Sequence, residues 1–411
     1  MIGMDLNGLV IFREILEDPL IRELECIREG KESGASARAI RILLEEELGL
    51  REYLARLLAT TENPLTLALE KGTGREELRE AALKEMQVVA GLGSLAGELV
   101  KKYPQWGFLV EGSGNSVWKE MSAVLASPEK LLGFIGEHCR VRGAGLLGMY
   151  PGFVYDGTLK PLKGTADFPL SRLIGYREQI EALKRNTEAF LSGKPALNAL
   201  LYGEKGTGKS STVRGLLPQY GPRGLKIIEV GKHHLGLLDG LLALLRNRGG
   251  RYIIFLDDLS FEDYEHDYKT LKAVIEGELT GRAGNVLVYA TSNRRHLIRE
   301  NWADRLDERG EIHRSDSMEE KLSLADRFGL LLTYQGLNRK QYLEMVETMA
   351  GRTGIRLAPE ELRRRAMLWE ISGHGMSGRS AEQFVVSLIG EGVEYERETE
   401  GGHLPDGDGT R

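Results

Sequence analysis

The run Gly203-Glu204-Lys205-Gly206-Thr207-Gly208-Lys209-Ser210 sets three glycines, two lysines and two hydroxyls in the pattern of a phosphate-binding loop. Glycines let backbone N–H groups curl round phosphate oxygens with no Cβ in the way. A helix beginning near Ser210 aims the positive end of its dipole at the same charge. Lys209 would offer an ammonium to the β- and γ-phosphates, and the Ser210 hydroxyl would ligate Mg²⁺. The expected phosphate cradle is therefore Gly203 to Ser211.

Two further stretches hold groups that chemistry on a phosphate would need. Ile253-Ile254-Phe255-Leu256-Asp257-Asp258 is an apolar run ending in two carboxylates. The first, Asp257, suits Mg²⁺, and the second, Asp258, suits activation of a water. Ala290-Thr291-Ser292-Asn293 ends another apolar run, and Asn293 is the expected water-positioning side chain. An aspartate at 258 reaches less far than a glutamate, which points to slow hydrolysis.

Other constellations carry less. His233-His234 has no further ligand at metal spacing. His138-Cys139 are neighbours pointing in different directions, and a cysteine is usually a small buried residue. Asn293–Arg299 and Arg363-Arg364-Arg365 are small basic clusters that suit solvated or intersubunit roles better than a nucleic-acid surface. Trp106, Trp118, Trp302 and Trp369 are scattered and make no stacking platform.

The elements that must position these groups follow from pattern. Short apolar runs at Ala199–Tyr202, Leu225–Val230, Tyr252–Leu256 and Val286–Ala290 read as strands buried on both faces. Helical segments are expected at Ser171–Leu191, Ser210–Leu217, Gly236–Arg248 and Tyr268–Leu279. Strand and helix in alternation predict a parallel α/β sheet. Leu9–Arg28, Ala37–Leu58 and Arg75–Leu92 read as helices, as do Lys321–Leu330, Arg339–Met349, Pro359–Glu370 and Ser380–Leu388. The expected domains are a mainly helical 1–143, a Gly/Pro-rich linker 144–169, an α/β nucleotide-binding domain 170–315, a helical lid 316–395 and a disordered tail 396–411.

The chain has 411 residues, a net charge of −6 and 41% hydrophobic residues, so it is long enough for more than one core and lacks a general basic field for nucleic acid. No stretch reaches the roughly 18 apolar residues of a membrane span. Asp5 and Arg13 stand in the wrong order for a signal peptide. Two cysteines, Cys26 and Cys139, fit a reducing compartment, and a cytoplasmic protein is expected.

The three motifs, in this order and followed by helices, resemble the AAA+ ATPases. Leu322–Leu330, containing Asp326-Arg327-Phe328, looks like the arginine-finger segment of that superfamily and is similar to its form in the replication initiator DnaA. Met376–Phe384, with Gly378-Arg379, looks like the second sensor on a lid helix. Leu173-Ile174-Gly175-Tyr176 resembles the segment that folds over adenine. Arg172–Ser211 also looks close to the bacterial AAA+-like family of unknown function numbered 815, a likeness covering about Ala144–Gly390.

The resemblance implies an AAA+ core with a parallel sheet, a small C-terminal helical lid, and ATP and Mg²⁺ bound between them. It implies that Arg327 reaches a neighbouring subunit's nucleotide and that Arg379 senses the nucleotide of its own subunit. Arg294 and Arg295 are rival fingers. A nucleotide-dependent homo-oligomer is implied, with an unknown protein client or partner met by the N-terminal helices. A slow assembly switch and a DnaA-like nucleic-acid loader are the alternative functions.

Overall fold

The computed structural model describes residues 6–30, 34–107, 117–162, 169–259, 271–272, 274–275, 284–293 and 327–395. Its centre is a seven-stranded sheet of order β2-β1-β4-β5-β6-β3-β7. The strands are β1 (Gly152–Tyr155), β2 (Leu159–Pro161), β3 (Ala199–Gly203), β4 (Leu225–Val230), β5 (Arg251–Leu256), β6 (Val286–Ser292) and β7 (Leu330–Tyr334). All pairings are parallel except β1 with β2, which is antiparallel. This is an open, mostly parallel α/β sheet.

Side-chain alternation explains why the central strands are so apolar. In β5, Tyr252, Ile254 and Leu256 enter the core on one face, while Ile253 and Phe255 enter the core on the other. In β6, Val288 and Ala290 serve the first face, and Leu287 and Tyr289 the second. Helices cover both faces, so each strand residue is buried whichever way it points. Because the strands run parallel, their C-terminal ends gather at one rim of the sheet, the side on which open α/β sheets bind ligands.

The N-terminal region is helical with its own core, running from Leu6 to Ala144. Its helices are shorter than the apolar pattern predicts. Ala37–Leu58 divides into Ala35–Glu45 and Leu50–Thr60, with Glu47 at φ 54° in the turn between. Leu9–Arg28 resolves into 3₁₀ turns and a helix Pro19–Glu29 that Asp18 caps through the Leu20 and Ile21 amides. The lid, with helices Arg339–Arg352, Pro359–Trp369 and Gly378–Gly390, closes on a small core of its own.

Three strands differ from the sequence reading. Residues read as linker supply β1 and β2, and β1 extends the sheet beside β4. Gly152 allows that pairing, since a Cβ there would lie 2.8 Å from Leu217. Leu330–Tyr334, assigned by pattern to a helix end and the lid, is instead the edge strand β7. The expected helix Tyr268–Leu279, most of Lys321–Leu330, Arg294, Arg295 and the tail 396–411 lie wholly or mainly outside the described residues.

The helical domain is seated on the core at the N-terminal ends of β4 and β5. Glu70, with a side chain 1% exposed, meets Arg248 at 3.1 Å and accepts the Gly249 and Ala144 amides at 2.8 and 2.9 Å. Arg248 also reaches Glu62 at 2.7 Å and the Ala144 carbonyl at 2.5 Å. The backbones touch as well, because a Cβ on Gly249 would stand 2.2 Å from the Glu70 carbonyl oxygen. A buried pair of this kind needs all its partners, and here each charge has several.

Candidate functional site

The loop after β3 is shaped by residues in the left-handed region. Gly206 has φ 79° and Gly208 φ 87°, where a side chain would be strained. Gly203 must be a glycine for space, since a Cβ would lie 1.9 Å from the Tyr334 carbonyl oxygen that accepts the Glu204 amide at 3.0 Å. Thr207 Oγ1 closes the loop on the Glu204 carbonyl at 2.8 Å. Glu204 and Lys205 are exposed, and Ser211 is half-buried one turn into the helix Lys209–Arg214.

Lys209 is 6% exposed and lies inside the loop. Its ammonium donates to the Gly203 carbonyl at 2.9 Å, the Glu204 carbonyl at 2.6 Å and Asn293 Oδ1 at 3.1 Å. Burial pulls its pKa down, and Asp258, Asp257 and Glu204 oppose that pull. A buried cation held by neutral carbonyls is a poor end state for a charge, and anionic oxygens at the same place would suit it better.

The two carboxylates at the end of β5 have different surroundings. Asp257 Oδ1 accepts Ser210 Oγ at 2.5 Å and Thr291 Oγ1 at 2.6 Å, while Oδ2 accepts Arg214 Nη2 at 2.9 Å. Arg214 is shared with Glu229 of β4 at 2.8 Å, and its guanidinium lies 5.4 Å from the Phe255 ring centroid. Asp258 is exposed and takes a left-handed φ of 52°. Its amide donates to Thr291 Oγ1 at 2.9 Å, and its Oδ1 accepts Asn293 Nδ2 at 2.6 Å. Asn293 therefore joins Lys209 to Asp258.

The lid touches the loop directly. The Gly378 amide donates to the Gly206 carbonyl at 3.0 Å. A Cβ on Gly206 would meet Ser377 Oγ at 2.9 Å and Arg379 Cβ at 3.6 Å. Arg379 is exposed beside the loop and carries no ion pair to a described residue. Leu173–Tyr176 runs between core and lid. Ile174 packs on the lid core, Tyr176 on both cores, and Gly175 and Tyr176 are consecutive left-handed residues at φ 83° and 53°. The Tyr176 hydroxyl donates to the Gln335 carbonyl at 2.5 Å and its ring stands 4.7 Å from that of Tyr334. Burial and then the Glu204 charge push its pKa up to about 12.

Arg327 is not brought to this place. It precedes Phe328, which is buried, and β7, whose Leu330 pairs with Ala199 at the start of β3. It therefore sits at the rim of the sheet opposite the loop of its own chain. Residues 322–326 of the finger-like segment, and Arg294 and Arg295, are outside the described residues. The Arg363–Arg365 cluster is paired with Glu347, Glu361 and Glu391 on the lid surface. His233 is exposed, and no metal-binding group of three His, Cys, Asp or Glu occurs among the described residues. Burial pushes the Cys139 thiol up to about 12, so it is no nucleophile.

Sequence reasoning missed Thr291, Arg214, Glu229 and Ser377. Thr291 and Ser377 lay inside quoted motifs without a role. Arg214 and Glu229 give no local signal, because their partnership spans a helix and a neighbouring strand.

The site fits a nucleotide with a divalent cation. Loop glycines with left-handed backbone leave a cradle, and among the described residues Lys209 donates only to neutral oxygens. Ser210 and Asp257 offer two hard oxygens 2.5 Å apart, too few for a cage but suited to Mg²⁺, which takes further ligands from phosphates and water.

Comparison with known proteins shows the family through one match. The family described as "Protein of unknown function (DUF815)" matches residues 150–392, more than half the chain. No curated protein matches it. Among solved structures it is similar to the RuvB Holliday junction branch migration motor of Thermotoga maritima, at 14% identity and a TM-score of 0.36, over 55% of this chain and 73% of that one. A point variant of the same RuvB gives 14% identity and a TM-score of 0.35, over 55% and 74%.

Proposed function

The chain belongs to the DUF815 family, and from that membership and the site's geometry we propose that it is an AAA+ ATPase that binds and hydrolyses Mg-ATP and couples nucleotide state to work on a macromolecular client. The observation that carries the reading is one connected set of contacts at the C-terminal rim of the sheet. Ser210 meets Asp257, Lys209 meets Asn293, and Asn293 meets Asp258.

Each residue then has a task. The loop amides and Lys209 bind the phosphates, and Ser210 and Asp257 would hold Mg²⁺. The bound cation supplies neutralisation of phosphate charge. Arg214 and Thr291 keep the Asp257 carboxylate fixed through its two oxygens. Asp258 takes the proton of the attacking water, and Asn293 orients that carboxylate while leaving Oδ2 without a bond to a described residue. Ile174, Gly175 and Tyr176 cover the base, between core and lid. Arg379, beside the loop, reports the nucleotide to the lid. Arg327, at the opposite rim, serves the site of a neighbouring subunit, so a homo-oligomer completes the catalytic set.

A slower assembly switch is favoured by one observation. Asp258 is short, left-handed and already engaged by Asn293. The helical N-terminal domain is the surface for a protein client. The ion-paired state of Arg363–Arg365 disfavours a nucleic-acid loader. Cys26 and Cys139 form no disulfide, in keeping with the cytoplasm, and no helix among the described residues is long and apolar enough to cross a membrane.

The test is a steady-state ATPase assay with nucleotide binding and light scattering on wild type, Asp258→Ala and Arg327→Ala. Asp258→Ala should bind ATP and lose about 10²-fold or more in kcat. Arg327→Ala should bind and lose about 10³-fold or more, in a protein whose mass rises with a slowly hydrolysed analogue. Wild type that binds no ATP would sink the reading. A monomer at every nucleotide concentration would remove the role given to Arg327.

A further inference from the structure

A cavity of about 200 Å³ lies far from the phosphate loop, where the last long helix of the N-terminal domain, Pro128–Arg142, meets the core. Tyr150, Pro151, Leu217 and Pro218 give it apolar walls, and Arg142 and Lys226 give it charge. No carboxylate lines it among the described residues.

Lys226 is the second residue of β4 and 3% exposed. Among the described residues its ammonium has one hydrogen-bond partner, the Tyr150 carbonyl at 3.0 Å, for three N–H donors. Arg142 makes no hydrogen bond or ion pair with a described residue. Glu70, the acid that acts on Lys226 electrostatically, is already held by Arg248 and by the Gly249 and Ala144 amides. Behind the cavity wall, His138 is buried with both ring nitrogens unpartnered, and a Cβ on the lining residue Gly148 would come within 3.4 Å of its Nε2.

Two cations in one cavity, with no counter-ion lining it among the described residues, are an unfavourable arrangement that an oxyanion would relieve. Burial, and after it Arg142, pull the Lys226 ammonium down to about 7, which is the mark of such a place. The volume lies below the roughly 300–1,000 Å³ of sites for drug-sized ligands, so the occupant is small.

We propose that this cavity binds a small organic anion, a carboxylate or phosphate ester with an apolar body, held by Lys226 and Arg142 at the junction of the helical domain and the core. The apolar walls take the body of the ligand and the two cations take its oxyanion. Binding ties the end of the helix Pro128–Arg142 to β4, so the ligand acts on the seating of the N-terminal domain and not on hydrolysis directly.

The experiment is calorimetric titration of the full chain with benzoate and with methyl phosphate. Wild type, Lys226→Met, Arg142→Gln and Lys209→Ala are compared. Saturable binding is expected in wild type and in Lys209→Ala, and the two probes tell carboxylate from phosphate. Loss of one charge-assisted contact should weaken it by about tenfold or more in Lys226→Met and Arg142→Gln. Arg142→Gln alters a half-buried residue, so it keeps the test open if Lys226→Met does not fold. No heat from either probe, or equal affinity in Arg142→Gln, overturns the proposal. Loss of binding in Lys209→Ala places the anion on the phosphate loop and overturns it too.

Discussion

Thr291 Oγ1 donates to Asp257 at 2.6 Å and accepts the Asp258 amide at 2.9 Å, so one hydroxyl sets the aim of both carboxylates. Thr291→Val keeps the shape and removes both contacts. It should lower kcat by about 10- to 100-fold with little change in ATP affinity, and Thr291→Ser should restore the rate. Lys209→Ala should weaken ATP binding by about 100-fold or more in a fluorescence titration, since the charge it brings to the phosphates has no substitute. A residue remote from the loop sets an acid sensitivity. Burial, then Arg142 and Lys226, hold His138 down to about 4, against about 6.5 in an unfolded chain. Between those values the unfolded chain takes up the proton and the folded chain does not, so stability falls as pH drops through that window. The fall amounts to about 3 kcal/mol and should be absent in His138→Phe, as urea unfolding at pH 7 and pH 4.5 would register. At this scale the glycine-rich loop between strand and helix was legible because its parts are contiguous. Arg214, Glu229 and Thr291 were not, because their partners come from separate elements and only folding brings them within bonding distance.

Elements were legible where burial on both faces made them uniformly apolar. β4, β5 and β6 fall where their apolar runs lie. β7 was hidden because it is an edge strand with Leu331 43% exposed, next to a helix-like sequence. β1 and β2 were hidden by glycines and prolines, which break helices but are tolerated at a sheet edge where the backbone needs close approach. The long helix read over Ala37–Leu58 ignored Gly49, whose extended φ of −70° and ψ of 157° begin the second helix. The lid's first helix is better marked. Asn338 accepts the Gln341 amide at 2.9 Å while Gln341 accepts the Asn338 amide at 3.0 Å. Asn338→Ala should cost about 1 kcal/mol in thermal or urea unfolding and leave the ATP site's affinity unchanged.

Across the described residues, four cores are linked at two joints of different character. The joint between core and lid is light: the Gly378–Gly206 bond, the Leu173–Tyr176 segment, and Arg352 reaching the Arg172 carbonyl at 2.9 Å. The joint between helical domain and core is buried and ionic, at Glu70, Glu62 and Arg248. Glu70→Ala leaves the Arg248 guanidinium buried with one acid, which should cost about 3–5 kcal/mol. Differential scanning calorimetry should then show the single transition of wild type split in two, with the helical domain melting first. The sequence announces none of this, because Glu70 and Arg248 are 178 positions apart and each looks like an ordinary surface charge.

In the function proposed above, that buried joint would divide frame from lever. The helical domain is bolted to the end of the sheet away from the glycine-rich loop, and the lid hangs by a few contacts at the end beside it. Anything gripped by the helical domain would then be carried with the sheet as ballast. Motion set off at the loop would reach it only as a displacement of the lid against a stationary chassis. Force would pass between what the lid holds and what the chassis holds, and the distance between those two grips would be the stroke.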